Sequence, residues 1–574
     1  MTINVVSALD AIGKIDPNTP MAGDFNISLC DIEHGSGAVY NIANFITELH
    51  LFEDIERIGV TGWVQLKDDV NLIQSGIILG EELLWLKFET AGSKRVYPNF
   101  AVDYSKNPLY VHKVEEIRAP VVRQGGATPQ TFLEYRLHFC STDMITNDRM
   151  RISKTYQGGI FDIVDKILDK DLQTKKNYEV TKTEGLFHYI APNIHPFDAI
   201  LELTKHAQCI DSLAVKGPQT AVTENMFNGY NTDFVFFETS SRQNPTDGGF
   251  FFVPLQRRAL ANNDFTITLQ NAASTAGAGK PQGGPTGFTR LMLTSKSFNF
   301  TNNGDKWETV GEGVWAAKHF RHNGVKKSYA IYEHDYLEHL TNKITSELSE
   351  TPVYWPGNAK KVSEYPDAKI FFSSSSGNPL DKGDSIISQR NKRAMYPWAD
   401  PTADIALLRQ MQTGHMLGYQ RIQAEMYGLS GLQIGKMCDC DFPPIGMSSG
   451  SPGETGIPDS RKVWPNRNNN RWMVSKLGHH LVSAASKPEY TTTVELVNTF
   501  AETEKTLPVW GALGSGPVTA AGGGTRPAPI RQPVQEIVDK EDLPDPPGMV
   551  AAQQAIQDAR RRAGLAARAA KNAK

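Results

Sequence analysis

Residues Phe45 to Asp69 read FITELHLFEDIERIGVTGWVQLKDD. After the polar centre EDIERIG, Val60, Gly62, Val64 and Leu66 alternate with Thr61, Trp63, Gln65 and Lys67. A period of two puts successive side chains on opposite faces, so the stretch predicts two short strands around a turn. Leu84, Leu86 and Phe88 then alternate with Trp85, Lys87 and Glu89. Residues 23–122 therefore read as a half-buried antiparallel sheet or barrel, closed by LYVHKVEEI and ended at Ala119 and Pro120, where proline stops sheet pairing.

With 574 residues the chain is too long for one hydrophobic core, and at about 150 residues per domain three or four are expected. Before the first sheet lies an N-terminal arm, 1–22. Residues 123–285 mix the two periods. Tyr135, Leu137 and Phe139 alternate with Glu134, Arg136 and His138, whereas Ile160, Ile163, Val164 and Ile167 recur at helical spacing. HPFDAILELTKHA predicts a second helix with Pro196 near its start, and FVFFET with GGFFFVPL predicts a strand pair. Because strand and helix do not alternate regularly, this block reads as an α+β insertion. Residues 286–418 contain a further alternating run, LMLTSKSFNF, among loops and helical pieces, and 419–506 complete a second sheet domain. There Ile422, Ala424 and Met426 alternate with Gln423 and Glu425, and Thr492, Val494 and Leu496 alternate with Thr491, Thr493 and Glu495. A linker rich in proline and glycine, 507–548, leads to a basic, alanine-rich tail, 549–574, expected to be helical at least when bound.

The formal net charge of −4 is small for this length and argues against a nucleic-acid binder whose whole surface is basic. Five scattered cysteines, Cys30, Cys140, Cys209, Cys438 and Cys440, do not form a secreted disulfide framework and suggest synthesis in a reducing cytoplasm. The first twenty residues lack the pattern of a signal peptide and no apolar run reaches about 18 residues, so neither export by a signal peptide nor a membrane span is expected.

Catalytic motifs are sparse. GMSSG, Gly446 to Gly450, matches the nucleophile elbow G-x-S-x-G, but that motif needs a strand entering and a helix leaving, and FPPI and SPGETGIPDS flank it. A loop is the expected reading. CDCD offers Cys438 and Cys440 without a second ligand pair, and reads as a strand whose cysteines point to opposite faces. His334 and His339 are five apart, which does not suit the zinc-protease spacing, and the adjacent His479 and His480 should diverge into packing or surface roles. The neighbouring carboxylates Glu53 and Asp54, Glu81 and Glu82, and Glu115 and Glu116 should face opposite ways, with solvated faces as the default. No phosphate loop is present. No catalytic, cofactor or metal site is expected, and the chain reads as a non-enzyme. The tail instead concentrates positive charge in Arg560, Arg561, Arg562, Arg568, Lys571 and Lys574 against the single acid Asp558, and is expected to bind a partner protein.

The order of these segments resembles the baseplate hub proteins of contractile-tailed phages of the T-even type. NFITELHLFEDIERIGVTGWVQLKDDVNLIQSGIILGEELLWLKFET resembles their first barrel, and RMRISKTYQGGIFDIVDKILDKDL the strand-to-helix segment after it. HPFDAILELTKHA and FFFVPLQ follow in the family's order, and GLSGLQIGKMCD with WMVSKLGHHLVSAASKPEYTTTVELV looks like the second barrel. The resemblance spans roughly residues 23 to 500 and leaves the linker and tail without a counterpart. It implies a β-rich α+β fold with two tail-tube-like antiparallel barrels around a mixed insertion. It also implies a homotrimer forming a pseudo-hexameric ring that joins the hexameric tail tube, or a tube initiator, to the trimeric central spike. Tape measure protein and genomic DNA would pass through the channel, with wedge proteins outside and no membrane involved. Such a protein resides in the virion tail baseplate after assembly in the host cytoplasm. The alternatives are a hub or spike component of a contractile injection or type VI-like secretion system and, in a different class, a tail-associated cell-wall hydrolase or esterase resting on GMSSG.

Overall fold

The computed structural model describes residues 23–91, 101–118, 130–183, 185–209, 232–241, 248–255, 263–269, 293–302, 316–323, 328–335, 366–374, 420–441, 471–483 and 488–498, with short pieces at 121–122, 311–313, 352–355, 358–361 and 409. Chain order begins with β1 (Phe25–Glu33), β2 (Val39–Asn41), β3 (Ile46–Asp54) and β4 (Thr61–Asp68). β3 and β4 are the hairpin expected around EDIERIG, antiparallel from Ile46 opposite Leu66 to Phe52 opposite Thr61. Gly62 shows why a residue without a side chain stands in β4: a Cβ there would lie 2.2 Å from the His50 carbonyl oxygen and 2.6 Å from the Phe139 ring.

β5 (Leu83–Thr90), β6 (Ala101–Asp103), β7 (Leu109–Arg118), the short pair β8 (Val121–Val122) and β9 (Gln130–Thr131), and β10 (Leu133–Ser141) follow. β7 does not close the first sheet, contrary to the sequence reading. β10, which the period alone had placed in the mixed block, pairs with β7 on one side and β4 on the other. Strand alternation reports that a segment is half-buried and is silent about its partner, which explains the difference.

The mixed block holds α1 (Thr142–Asp148), β11 (Thr155–Gly158), α2 (Ile160–Lys166) running into a π-helical turn (Ile167–Asp171), β12 (Tyr178–Val180), β13 (Phe187–Ile190), α3 (Pro196–Thr204), β14 (Phe234–Thr239) and β15 (Gly249–Pro254). Both expected helices are present, Pro196 occupies the first turn of α3, and Ile160, Ile163, Val164 and Ile167 are all buried. β14 and β15 pair antiparallel as expected. All six positions of each are buried because the pair has no solvent side. Phe234, Phe236, Phe250 and Phe252 join the core beneath the helices, whereas Val235, Phe237, Phe251 and Val253 face the core of the second sheet domain.

After this come β16 (Asn263–Thr268), β17 (Ser295–Asn302), β18 (Ala316–Asn323), β19 (Ser328–Asp335), β20 (Pro352–Trp355), β21 (Asn358–Lys361), β22 (Ile370–Ser374), β23 (Gln420–Tyr427), β24 (Met437–Asp441), β25 (Arg471–Val482) and β26 (Glu489–Asn498). β16 also departs from the sequence reading, since it leaves the mixed block to pair in parallel with β24. β18, β19 and β22 form a separate small sheet, and β20 with β21 another.

The fold is β-rich with few helices. Its dominant feature is one sheet of 14 strands, with the path β17-β23-β26-β25-β3-β4-β10-β7-β5-β1-β2. Two cores lie beneath it. The first gathers Leu49, Leu51, Val64, Leu66, Leu84, Leu86, Phe88, Leu137 and Phe139, and the second Ile422, Met426, Trp472, Leu477, Val494 and Leu496. Among the described residues no strand pair closes either half of the sheet into a ring.

Candidate functional site

The two halves meet where β3 pairs with β25, antiparallel from Lys476 opposite Asp54 to Val482 opposite Glu48. Apolar residues interlock below the seam: Leu481 and Tyr490 of the second half enter the first core, and Ile55 of the first enters the second. Alongside, the Thr90 backbone N–H donates to Ser430 Oγ at 3.0 Å, and the Ser430 N–H donates to Thr90 Oγ1 at 2.9 Å. Strand pairing, shared apolar burial and buried hydrogen bonds together make the seam a structural joint.

Register then decides what the outer face presents. Asn299, Gln423, Glu495, Lys476 and Asp54 stand in one row from β17 to β3. A second row carries Thr491, His480, His50, Trp63, His138 and Lys113 from β26 to β7. This face is polar, half-exposed and continuous over eight strands, and most of its charges have an opposite charge nearby. Glu495 lies 3.5 Å from both Arg421 and Lys476, and Glu115 lies 2.6 Å from Lys113 and 2.7 Å from His138. Paired charges leave a surface of mixed sign without a strong field of either sign.

The second row is a stack. His50 lies 3.9 Å, ring centre to ring centre, from Trp63 on one side and 3.9 Å from His480 on the other. Arg136, from β10 on the far side of β4, lies over Trp63 at 4.5 Å. Burial first, then the nearby His480 and Arg136, pushes the His50 imidazole down to about 4 from an ordinary 6.5. The unfolded chain therefore binds a proton between these values that the folded chain refuses, so the contribution of neutral His50 is complete above pH 6.5 and lost as pH falls through 4. We expect the pH slope of the thermal midpoint across that window to be shallower in His50→Gln by about one proton's worth, read by calorimetry at several pH values.

His479 and His480 diverge as expected: His479 is buried against the Tyr490 hydroxyl, 2.6 Å from Nδ1, and His480 faces out. Glu53 and Asp54 also diverge, but the solvated default fails for two carboxylates. Glu53 is buried and accepts from Thr239 Oγ1 at 2.7 Å and from Ser240 Oγ. Glu82 is buried and accepts from the backbone N–H of Gly80 at 2.9 Å. Each carboxylate satisfies groups that would otherwise be buried unpaired, which a sequence pattern does not reveal. Cys438 and Cys440 are also corrected. Two positions apart on a strand they share a face, and both are buried in the second core.

Gly446 to Gly450, His339 and the basic residues Arg560, Arg561, Arg562, Arg568, Lys571 and Lys574 lie outside the described residues. The sequence reading missed His50, Trp63 and Glu48 as a group. Their only signal was polar residues at alternate strand positions, which is shared by every half-exposed strand.

No protein-family model matches the chain. No curated protein matches it at a significant level. Among solved structures, the 43 kDa tail protein of a Shewanella oneidensis prophage matches 83% of this chain and 99% of its own at 7% identity, with a TM-score of 0.39. The tail protein of Neisseria meningitidis matches 83% of this chain and 96% of its own at 8% identity and a TM-score of 0.36. The Francisella PdpA–VgrG complex, half-lidded, matches 87% of this chain and 61% of its own at 10% identity and a TM-score of 0.38. The structural neighbours of this chain are thus phage tail proteins and VgrG complexes, at low sequence identity.

Proposed function

We propose that the chain is a non-enzymatic structural hub of a phage tail baseplate, three copies of which form a pseudo-hexameric ring between a hexameric tail tube and a trimeric spike. The observation that carries this reading is the joint between β3 and β25, which fuses two separately cored sheet halves under one polar face. Three such chains would supply six halves, and a cyclic assembly closes when the same heterologous interface repeats around an axis. In that ring the polar face of the sheet would line the channel for tape measure protein and DNA. Its mixed, paired charges suit passage, since a strongly basic wall would retain a polyanion. The order of segments quoted above, over roughly residues 23 to 500, supports the same assignment. The basic tail after residue 548 is assigned to docking on the spike or the tape measure protein, folding as it binds. A hub in a contractile injection or type VI-like secretion machine would use the same ring.

Light scattering on the purified chain, alone and mixed with the spike protein of the same tail, tests the ring. A trimer, or a monomer that becomes trimeric with the spike, is the expected result. A monomer indifferent to the spike would overturn it.

A further inference from the structure

Glu48, His50 and His480 converge on the outer face of the seam, one pair from β3 and the last from β25. Their ligand atoms all lie within 4.8 Å of one another, and the Glu48 carboxylate stands 3.8 Å from His50 Nε2. As an aromatic stack alone, the cluster is incompletely explained. Phenyl rings would stack as well, and among the described residues both His50 Nε2 and His480 Nε2 are buried nitrogens with no hydrogen-bond partner. Burial of such atoms without a partner is costly, and a cation between them would satisfy both at once.

We propose that Glu48, His50 and His480 bind one divalent cation of the zinc class across the seam. Two imidazoles and one carboxylate form a borderline-soft donor set that suits zinc, nickel or cobalt, whereas magnesium and calcium prefer oxygen ligands throughout. Three protein ligands leave the fourth tetrahedral position to water. Tetrahedral zinc holds its ligand atoms about 3.3 Å apart and imidazole lone pairs lie in the ring plane, so the His50 and His480 rings, now stacked at 28° to one another, need to turn out of the stack as well as close inward. That movement is available to partly exposed side chains on adjacent strands: the side chain of Glu48 is 36% exposed and that of His50 19%. Arg136 is an opposing charge held over Trp63, with that ring's strand between it and β3. A bound ion would tie β3 to β25 and so pin the register of the two sheet halves, whatever the oligomeric state of the chain.

Titrating tag-free full-length protein with zinc chloride, by calorimetry and by equilibrium dialysis, tests the site. The comparison is with His480→Gln and Glu48→Gln, whose folding is checked by circular dichroism. Both substitutions lie on the half-exposed face and keep the side-chain size. The expected result is one zinc more per chain in the wild type than in either variant, with a zinc-dependent rise in thermal midpoint confined to the wild type. Equal stoichiometry in all three proteins, including none in any, would overturn the proposal. The measurement needs only the isolated chain, so its failure is separate from failure of the ring.

Discussion

Lys176→Met is expected to cost about 3–5 kcal/mol of stability, because it leaves two carboxylates buried without their cation. Lys176 lies just before β12, and its ammonium reaches three elements. It is 2.6 Å from Glu238 of β14 and 3.0 Å from Asp143 of α1, and it donates to Ser141 Oγ at the end of β10. Lys176 and Glu238 are almost fully buried, their side chains 5% and 2% exposed. Burial is the largest influence on both ionisations. It opposes the charge on Lys176, but Glu238 and Asp143 outweigh it and hold the ammonium above the ordinary lysine range. On Glu238 burial wins, and its carboxyl titrates above the usual carboxylate range. Methionine fills the volume of the stem but supplies no charge, so denaturant unfolding should show a lower midpoint at pH 7. Adding Asp143→Asn and Glu238→Gln to Lys176→Met should recover much of the loss, since neutral amides do not need a counter-charge. A single variant as stable as the wild type would show that the network carries no such weight.

Gly428→Ala is expected to cost about 3 kcal/mol or more, at the upper end of overpacking effects. A Cβ at Gly428 would stand 1.9 Å from the Tyr490 ring. That ring has nowhere to retreat. Its hydroxyl is 2.6 Å from His479 Nδ1, and Phe88 and Phe25 meet it edge-on at 5.9 and 6.4 Å. Its backbone is held too, since the Gly428 N–H donates to the Tyr490 carbonyl at 2.7 Å. Relief therefore requires moving β26 relative to β23, and with it the part of the second half that enters the first core. Gly35→Ala serves as the control: nothing among the described residues lies within 4 Å of a Cβ there, so its unfolding midpoint should barely change. Equal midpoints for the two variants would contradict the argument.

Much of the local structure was legible in the residues. Alternation located β3, β4, β5, β23 and β26, helical spacing located α2 and α3, and FVFFET with GGFFFVPL marked a strand pair, whose burial on both faces only the structure shows. The candidate site was less legible. Strand period determines which residues share a face of their own strand, but His50 meets His480 only because β3 pairs with β25 across more than four hundred residues of sequence. Tyr135 and Asp68 likewise meet, hydroxyl to carboxylate at 3.2 Å, only because β10 slots beside β4.

The sequence by itself thus determined that the chain is β-rich, that β3, β4, β5, β23 and β26 are half-buried strands, and where α2 and α3 fall. These are properties of single segments, governed by side-chain period and by the cost of burying polar groups. The tertiary structure alone decided that the two halves share one sheet, that Glu53 and Glu82 are buried and satisfied, that Lys176 is the hub of an ion network, and which side chains stand together across the seam. Pairing and register are set by the fit of distant segments to one another, and that information is not carried within either segment.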